Sequence, residues 1–241
     1  MRPLHIIYED ESLVAINKPS GLLVHRTKIA AEETEFALQI LRDQIGSWVS
    51  PIHRLDRPTS GVLLFSKNPE LMPSLKQQFE ERKAEKVYWA ICRGIPAQKY
   101  GKIDYALTSE YSNNRQEALS NYKVISECEI PFDTTGRYPT SRYSLIEVKP
   151  ETGRTHQIRK HLAHLRHYII GDKKHGDNKQ NHFFEQQFGL KHLLLHSKSL
   201  SITHPISGNQ ILFTADPPVH FVKITTDLSL SLPKDASQKL A

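Results

Sequence analysis

An α+β fold with one large, mixed and mainly antiparallel β-sheet, flanked by helices and loops, is the fold class that the sequence predicts. Short strand-like runs alternate irregularly with a few helical patterns, without the regular order of βαβ units. The 241 residues suffice for one large core, and they contain neither an internal repeat nor a linker of shifted composition. We therefore predict one domain over residues 1–225, followed by a flexible tail over residues 226–241.

The local patterns predict elements along the whole chain. Pro19 and Gly21 suit a tight turn, so residues 12–25 are predicted to form a hairpin after a first strand at residues 4–8. Asn68 followed by Pro69 predicts a helix start. The predicted helices cover residues 34–45, 68–83 and about 155–166. The other predicted strands cover residues 85–94, 119–127, 142–148, 192–205 and 210–215, and the polar residues 96–118 are predicted to form a long connection.

Composition and charge limit the class of protein. The net charge is +6, from 32 basic and 26 acidic residues, which is compatible with a polyanionic partner. The N-terminal residues lack the pattern of a signal peptide, and no run approaches ~18 apolar residues. Cys92 and Cys128 match no metal or redox spacing, so two thiols in a reducing compartment are expected, with Cys92 packed in a strand. We predict a cytoplasmic protein that does not enter the membrane.

The loop HRLDRPTSG, residues 53–61, places Asp56 between Arg54 and Arg57 and stiffens the turn with Pro58 and Gly61. One interpretation is a surface ion-pair loop, which contributes little to stability. The other is a functional carboxylate, because the loop leads directly into the apolar run 62–65 and so holds Asp56 at the rim of the core. Neighbouring guanidinium groups favour the charged form of such an acid.

The segment ETGRTHQIRKHLAHLRH, residues 151–167, has the spacing of an amphipathic helix. Ile158, Leu162 and Leu165 fall on one face, and Arg159 emerges beside that face. There its planar fork is suited to a bidentate pair with a partly buried carboxylate. The alternative interpretation is a solvated basic helix face.

Eight of the 13 histidines lie between His156 and His196, which raises the question of a metal site. Neither an H-E-x-x-H motif nor a Cys pair accompanies them, and His161 and His167 diverge around the predicted helix. No metal ligand is therefore predicted, and donors for a phosphate backbone are the favoured interpretation. Tyr88 lies in a strand-like run, where spacing alone gives no reason to prefer a role beyond packing.

Together these motifs resemble the RluA-type pseudouridine synthases. The matching stretches run from about residue 4 to residue 215, and the HRLD loop with the downstream GRTHQIR is highly specific. The matches are INKPSGLLVH, HRLDRPTSGVLLF, KVYWAICRG, TGRTHQIRKHLAHLRHYIIGDKKHG and LLLHSKSLSITHP. The resemblance implies the catalytic-domain fold of that family, and no S4-type RNA-binding domain is expected before residue 4.

The resemblance also implies roles for individual residues. Asp56 is expected to be the catalytic carboxylate and Arg159 its ion-pair partner. Tyr88 is expected to be the ring against which the flipped uracil lies and a proton carrier at C5, and Arg54 the side chain that enters the RNA where the target base leaves. The other residues expected to bind substrate RNA are His53, Arg57, Thr59, Lys18, Arg154, His156, Gln157 and Lys173.

The chemistry of pseudouridine formation agrees with these expectations. The reactive carbon cannot be reached in a stacked helix, so the nucleotide must be extruded at a cost of a few kcal/mol. Stacking on an aromatic ring returns ~1–3 kcal/mol. Asp56 must be ionised to act, and a lone buried carboxylate tends to protonate, so a cationic partner is needed. The sequence leaves open whether Asp56 attacks the sugar, attacks the base or takes a sugar proton.

Within the family, LRDQIG, HRLDRPTSG, GRYPTSRY and KHLAHLRHYIIGDKKHGD are most similar to a subgroup that acts on uridine 65, on the T-stem side of tRNA. The expected partner is therefore tRNA, with ribosomal RNA as the alternative. A non-catalytic RNA-binding protein and a metal-dependent hydrolase are further alternatives. The isomerisation needs neither redox chemistry nor energy input, so no cofactor is expected, and no obligate protein partner is implied.

Overall fold

The computed structural model describes residues 3–26, 35–109, 112–134 and 136–233. Its main feature is a ten-stranded sheet with the central order β1-β2-β4-β11-β5-β10-β9-β6; β3 pairs with β4, and β12 with β11. The strands are β1 (His5–Glu9), β2 (Leu13–Lys18), β3 (Ser50–Pro51), β4 (Ser60–Ser66), β5 (Glu85–Arg93), β6 (Tyr100–Asp104), β7 (Leu107–Thr108), β8 (Arg115–Gln116), β9 (Leu119–Ile130), β10 (Ser141–Pro150), β11 (Leu195–Thr203) and β12 (Gln210–Thr214).

The helices are α1 (Ala37–Ile45), α2 (Met72–Glu80), α3 (Gln157–His164), α4 (Asn178–Phe188) and α5 (Val219–Asp227). The pair β4–β11 is parallel, and the other pairs of the sheet are antiparallel. The predicted fold class is therefore confirmed. None of the helices in the described residues combines the length and the apolar character that crossing a bilayer requires.

Strand β5 shows how the sheet separates its two faces. Tyr88, Ala90 and Cys92 belong to a core cluster that includes residues of α1 and α3. Trp89 and Ile91 point the other way, into a cluster that includes residues of α4 and α5. This alternation follows from the period of two residues in a strand. The face that carries Tyr88 is the one on which the candidate site lies.

Several predicted elements differ in the structure. The hairpin over residues 12–25 is wrong, because β2 pairs with β1 and β4. The chain after Lys18 leaves the sheet and contacts the start of α1. There the carbonyls of Leu23 and Val24 accept hydrogen bonds from the backbone N–H groups of Ala37 and Leu38. The predicted connection 96–118 contains β6, β7 and β8. The start at Asn68 is confirmed, since its side chain accepts the Glu70 N–H at 2.9 Å, although a 3₁₀ turn precedes α2.

The C-terminal boundary also needs correction. The predicted domain end at residue 225 falls inside α5, and Leu228 and Leu230 beyond it are buried in the core cluster on that face. The β-branched composition of α5 obscured this helix, since Val, Ile and Thr favour strands. The packed chain therefore extends at least to Leu230, and residues 234–241 of the predicted tail lie outside the described residues.

Candidate active site

The loop over residues 53–61 leads into β4 where β4 lies very close to β11. The backbone N–H of Thr59 donates to the carbonyl of Asp56 at 3.0 Å, which closes a tight turn around the carboxylate. Gly61 has φ +110, and a Cβ built there would lie 2.1 Å from the backbone oxygen of Ser197. Only glycine fits this conformation and this approach of β4 to β11. The turn and the glycine together fix the position of Asp56.

Lys18 binds this loop from the interior of the protein. The sequence predicted that Lys18 contacts RNA, but its side chain is not exposed to do so. Its side chain is fully buried, and its Nζ donates to the carbonyls of Pro19, Leu22 and Arg57 at 2.9, 2.8 and 3.1 Å. An ammonium group has three donors, and all three are used. Burial lowers the pKa of Lys18 to about 7, while the negative charge of Asp56 acts in the opposite direction. Lys18 therefore positions the loop.

We expect Lys18→Met to lower the free energy of unfolding by about 3 kcal/mol, because the variant leaves three carbonyls without their donor. Chemical denaturation checks this value. Lys123→Met, at an exposed lysine outside the site, is the matched control and should change stability by less than about 0.5 kcal/mol. A stable Lys18→Met variant with weakened RNA binding would instead support the original prediction of an RNA contact.

The centre of the site is a chain of three charged groups. Nη1 of Arg159 lies 3.3 Å from Oδ2 of Asp56. The other side of the guanidinium binds Asp172, with Nε to Oδ2 and Nη2 to Oδ1 both at 2.7 Å. The predicted bidentate pair therefore exists, but its carboxylate is Asp172, and Asp56 receives a single contact. The side chains of Arg159 and Asp172 are 5% and 1% exposed, whereas that of Asp56 is 18% exposed and faces the cleft.

Asp172 is a residue of the candidate site that the sequence interpretation did not identify. Burial alone would raise its pKa, but hydrogen bonds from Arg159 and from the backbone N–H groups of His175 and Lys174 hold the pKa below its usual range. It stays ionised and fixes the plane of the guanidinium. A signal was present in the sequence, since a carboxylate two residues after the apolar pair Ile169–Ile170, separated from it by Gly171, is placed at the end of a buried segment.

The two arginines that flank Asp56 in sequence do not pair with it. Arg57 donates from Nε to the carbonyl of Gly21 at 3.0 Å and so ties the loop to the segment after β2. Arg54 is exposed at the cleft, and its side chain makes no hydrogen bond or ion pair within the described residues. A local ion pair of Asp56 with either neighbouring arginine is therefore not formed. The cation beside Asp56 comes from α3, about a hundred residues away in the chain.

His156 lies at the start of α3 in the left-handed region, with φ 57 and ψ 26. A residue with a Cβ pays about 1–2 kcal/mol for this conformation. The ring is held by a hydrogen bond between its Nδ1 and Nε2 of His175 at 2.9 Å, and its own Nε2 lies 3.8 Å from Oδ2 of Asp56. The strained backbone therefore brings an imidazole to the carboxylate.

Tyr88 reaches the same cleft from β5. Its side chain is buried, and burial raises the pKa of the phenol to about 12, with the nearby Asp56 charge acting in the same direction. A side-chain hydrogen bond with Ser197 acts in the opposite direction, and the hydroxyl is therefore protonated at neutral pH and able to donate. Thr59 is 2% exposed, and its Oγ1 has no hydrogen-bond partner among the described residues. That hydroxyl is available to a bound molecule.

These residues surround a cleft of about 430 Å³. Its lining combines charged and polar side chains with apolar ones, and it is large enough for a nucleoside. The lining residues are Ile52, His53, Arg54, Leu55, Asp56, Thr59, Phe79, Glu80, Arg82, Lys86, Tyr88, Pro150, Glu151, Thr152, Gly153, Arg154, Thr155, His156, Gln157, Ile158, Arg159 and Leu195.

Two predicted RNA-binding side chains serve the protein itself. The Nε2 of His53 accepts the Leu64 backbone N–H at 3.2 Å, and the ring stacks on Phe79. Burial lowers the pKa of His53 to about 4, so the ring is neutral. The amide of Gln157 is saturated: its oxygen accepts from the Thr152 hydroxyl and the Arg154 N–H, and its nitrogen donates to Leu119 and Ser120. Gln157 therefore retains no free polar group, whereas in His53 the nitrogen Nε2 is used by the backbone and the ring lines the cleft.

Two more predicted residues lie at the surface. Arg154 lines the cleft and is exposed, although its Nε donates to the carbonyl of Glu117 at 3.0 Å. Lys173 is exposed beside Asp172 but is not among the residues that line the cleft. Both positions remain compatible with contacts to RNA outside the cleft.

The histidines are dispersed through the structure. His161 contacts the Ser120 hydroxyl and the carbonyl of Tyr105, and His196 contacts the Ser60 hydroxyl and the carbonyl of Ala215. In the part of the chain that the structure describes, no three His, Cys, Asp or Glu side chains are grouped as a metal site would require.

Residues 12–164 match the sequence model of a family described as RNA pseudouridylate synthase. The chain belongs to this family. Its curated relatives include proteins named tRNA pseudouridine synthase C from Vibrio parahaemolyticus and Haemophilus ducreyi. They are 46% and 47% identical; each alignment covers 88% of this chain and 89% or 90% of the relative. The resemblance stated from the sequence is thus confirmed for the RNA pseudouridylate synthase family.

Solved structures agree with this RNA pseudouridylate synthase assignment. Human RNA pseudouridylate synthase domain containing 4 superposes with a TM-score of 0.75 at 25% identity, and 95% of each chain is covered. Human RNA pseudouridylate synthase domain containing 1 gives a TM-score of 0.74 at 22% identity over 99% of this chain and 95% of the other, which shows the shared fold.

Proposed function

We propose that this protein isomerises a uridine of tRNA to pseudouridine in the cytoplasm. The observation that carries the proposal is the carboxylate of Asp56, held in a nucleoside-sized cleft 3.3 Å from a buried guanidinium. Membership of the RNA pseudouridylate synthase family supports the reaction, and the names of the 46–47% identical relatives support tRNA as the substrate.

The reaction breaks the bond between N1 of uracil and C1′ of ribose, turns the base, and joins C5 to C1′. The proton on C5 leaves and N1 gains a proton, so the product is an isomer and no electron is transferred. We therefore propose that neither a redox cofactor nor an energy source takes part. The target nucleotide must leave the helix stack to enter the cleft, and Arg54, exposed and without a partner in the described residues, is suited to replace it there.

Inside the cleft we assign Asp56 as the catalytic carboxylate. Attack on the sugar, attack on the base and removal of a sugar proton all require its ionised form, and Arg159 places a guanidinium 3.3 Å from the carboxylate. Tyr88 supplies the aromatic ring against the uracil. Since its pKa is about 12, its hydroxyl suits donation to the base better than removal of the C5 proton. Thr59 Oγ1 supplies a further hydrogen bond to the nucleoside.

Two finer points belong to the same proposal. We propose uridine 65, on the T-stem side, as the target, on the basis of the subgroup motifs alone. We also propose that the protein acts without an obligate protein partner. Ribosomal RNA is the alternative substrate, and the experiment below distinguishes the two.

We expect the purified protein to form pseudouridine in unmodified tRNA transcripts and not in ribosomal RNA fragments. Chemical mapping of pseudouridine after incubation locates the modified position. A single modified uridine on the T-stem side confirms the substrate and the position together. Modification only in ribosomal RNA overturns the tRNA assignment and retains the reaction, whereas no pseudouridine in either RNA refutes the proposed activity.

A further inference from the structure

Lys86 is a cation of the cleft to which no role has been assigned. It lies on β5 two residues before Tyr88, so both side chains emerge on the same face of the strand, about 7 Å apart along it. Both line the cleft that contains Asp56. Lys86 therefore lies near the N-terminal end of β5, next to the tyrosine ring that is assigned to the uracil.

The charge of Lys86 is not compensated within the described residues. Its Nζ makes no hydrogen bond and no ion pair there, and burial is the one cause that lowers its pKa. The positive charge instead contributes to the lowered pKa of the neighbouring His53, which places it inside the site. The carboxylates at the rim, Glu80 and Glu151, do not pair with it.

The other buried cations of the site differ from Lys86, because their charges are compensated by hydrogen-bond acceptors. Lys18 has three carbonyls, and Arg159 has two carboxylates. A partly buried ammonium without such partners is unfavourable in the free protein. The free-energy cost of burying this ammonium is recovered when an anion enters the cleft. The anion that accompanies a nucleoside of RNA is a phosphate of its backbone.

We propose that Lys86 binds a backbone phosphate next to the everted uridine, an inference that rests on the proposed function. Lys86 thus anchors the sugar–phosphate chain at the mouth of the cleft while Tyr88 receives the base. Since the contact is to phosphate, it contributes to affinity and to the register of the nucleotide, and it does not distinguish uracil from other bases.

The test measures binding, so it does not depend on turnover. Lys86→Met is prepared in an Asp56→Asn background, because methionine retains most of the apolar stem and removes the charge. We expect the Kd for tRNA to rise roughly five- to tenfold at low salt. We also expect the slope of log Kobs against log salt concentration to fall in magnitude by about 0.7–0.9, the value for one phosphate contact.

Two variants complete the comparison. Lys86→Arg retains the charge and should restore the salt slope. Lys123→Met removes an exposed lysine outside the cleft and is the matched control for a loss of overall charge. If Lys86→Met binds with unchanged affinity and slope, or differs no more than Lys123→Met, the proposal is wrong. If Lys86→Met unfolds, the salt slope of Lys86→Gln, which keeps a polar end group, decides the question.

The position of the phosphate is tested with neutral methylphosphonate linkages, placed one at a time on either side of the mapped uridine. At the phosphate that Lys86 contacts, we expect the neutral linkage to weaken binding to the protein with Lys86 and to have a much smaller effect on binding to Lys86→Met. Additive losses at both positions would show that Lys86 contacts no phosphate there. Failure of the proposed function is a separate result, since it is the absence of pseudouridine in the turnover experiment with the native protein.

Discussion

Asp56→Asn is expected to lower the rate of pseudouridine formation by at least about 10,000-fold, to the background of the assay. Asparagine keeps the size and the hydrogen-bonding capacity of the side chain but removes the charge and the basicity that each of the three roles requires. The contact with Arg159 at 3.3 Å becomes a hydrogen bond from the charged guanidinium to a neutral amide oxygen, so the ion pair is lost while the surrounding loop is kept. Single-turnover assays on the mapped tRNA measure the rate.

The matched control is Asp43→Asn, an exposed carboxylate on α1 that pairs with the neighbouring Arg42. It should leave the rate unchanged. Binding of tRNA to Asp56→Asn should stay within a few-fold of the native affinity, because the backbone phosphates provide most of the attraction. Product formation by Asp56→Asn at a rate near that of the native protein would remove Asp56 from the chemistry.

Arg159→Lys is expected to lower the rate by about 100-fold while the positive charge is kept. Lysine has a single point of charge, whereas the guanidinium binds Asp172 through two nitrogens and offers a third to Asp56. An ammonium cannot satisfy both carboxylates in this geometry, so Asp56 loses its fixed orientation. A displacement of about 1 Å at a catalytic group has effects of this size.

Stability measurements separate this effect from unfolding. Breaking a buried ion pair costs about 3–5 kcal/mol when one charge is left alone, and Arg159→Lys should cost less because the charge remains. The rate is therefore compared at a temperature at which the circular dichroism of the variant matches that of the native protein. A folded Arg159→Lys variant with the native rate would show that the fork is not needed.

The fold could be predicted from the sequence where short-range patterns decide the structure. The strand that carries Tyr88 alternates between two apolar faces, and the Asn68–Pro69 start has a local mechanism. The hairpin over residues 12–25 was predicted wrongly, although its turn residues are suited to a turn. Lys18 instead binds the carbonyls of Pro19 and Leu22 and, from the loop over residues 53–61, that of Arg57. The contact with Arg57 is tertiary, and no local pattern reveals it.

The same distinction applies to the site. The HRLD loop and α3 were predicted to act together, and the structure brings Asp56 and Arg159 into contact. Asp172 was missed because its role depends on the approach of a turn thirteen residues beyond Arg159. The Nε2 of His53 and the whole amide of Gln157 are bound by the backbone and by buried neighbours, which only packing determines. The sequence motifs therefore predicted the central pair, Asp56 and Arg159, better than the residues that hold this pair in place.

The central claim is that Asp56 is oriented for chemistry by Arg159, which Asp172 in turn holds. A cycle of single-turnover rates with Arg159→Lys, Asp172→Asn and the double variant tests it most directly. If Asp172 acts only through the guanidinium, the double variant should be no slower than the slower single variant. Rate losses that multiply in the double variant, or a native rate in either single variant, would contradict the claim.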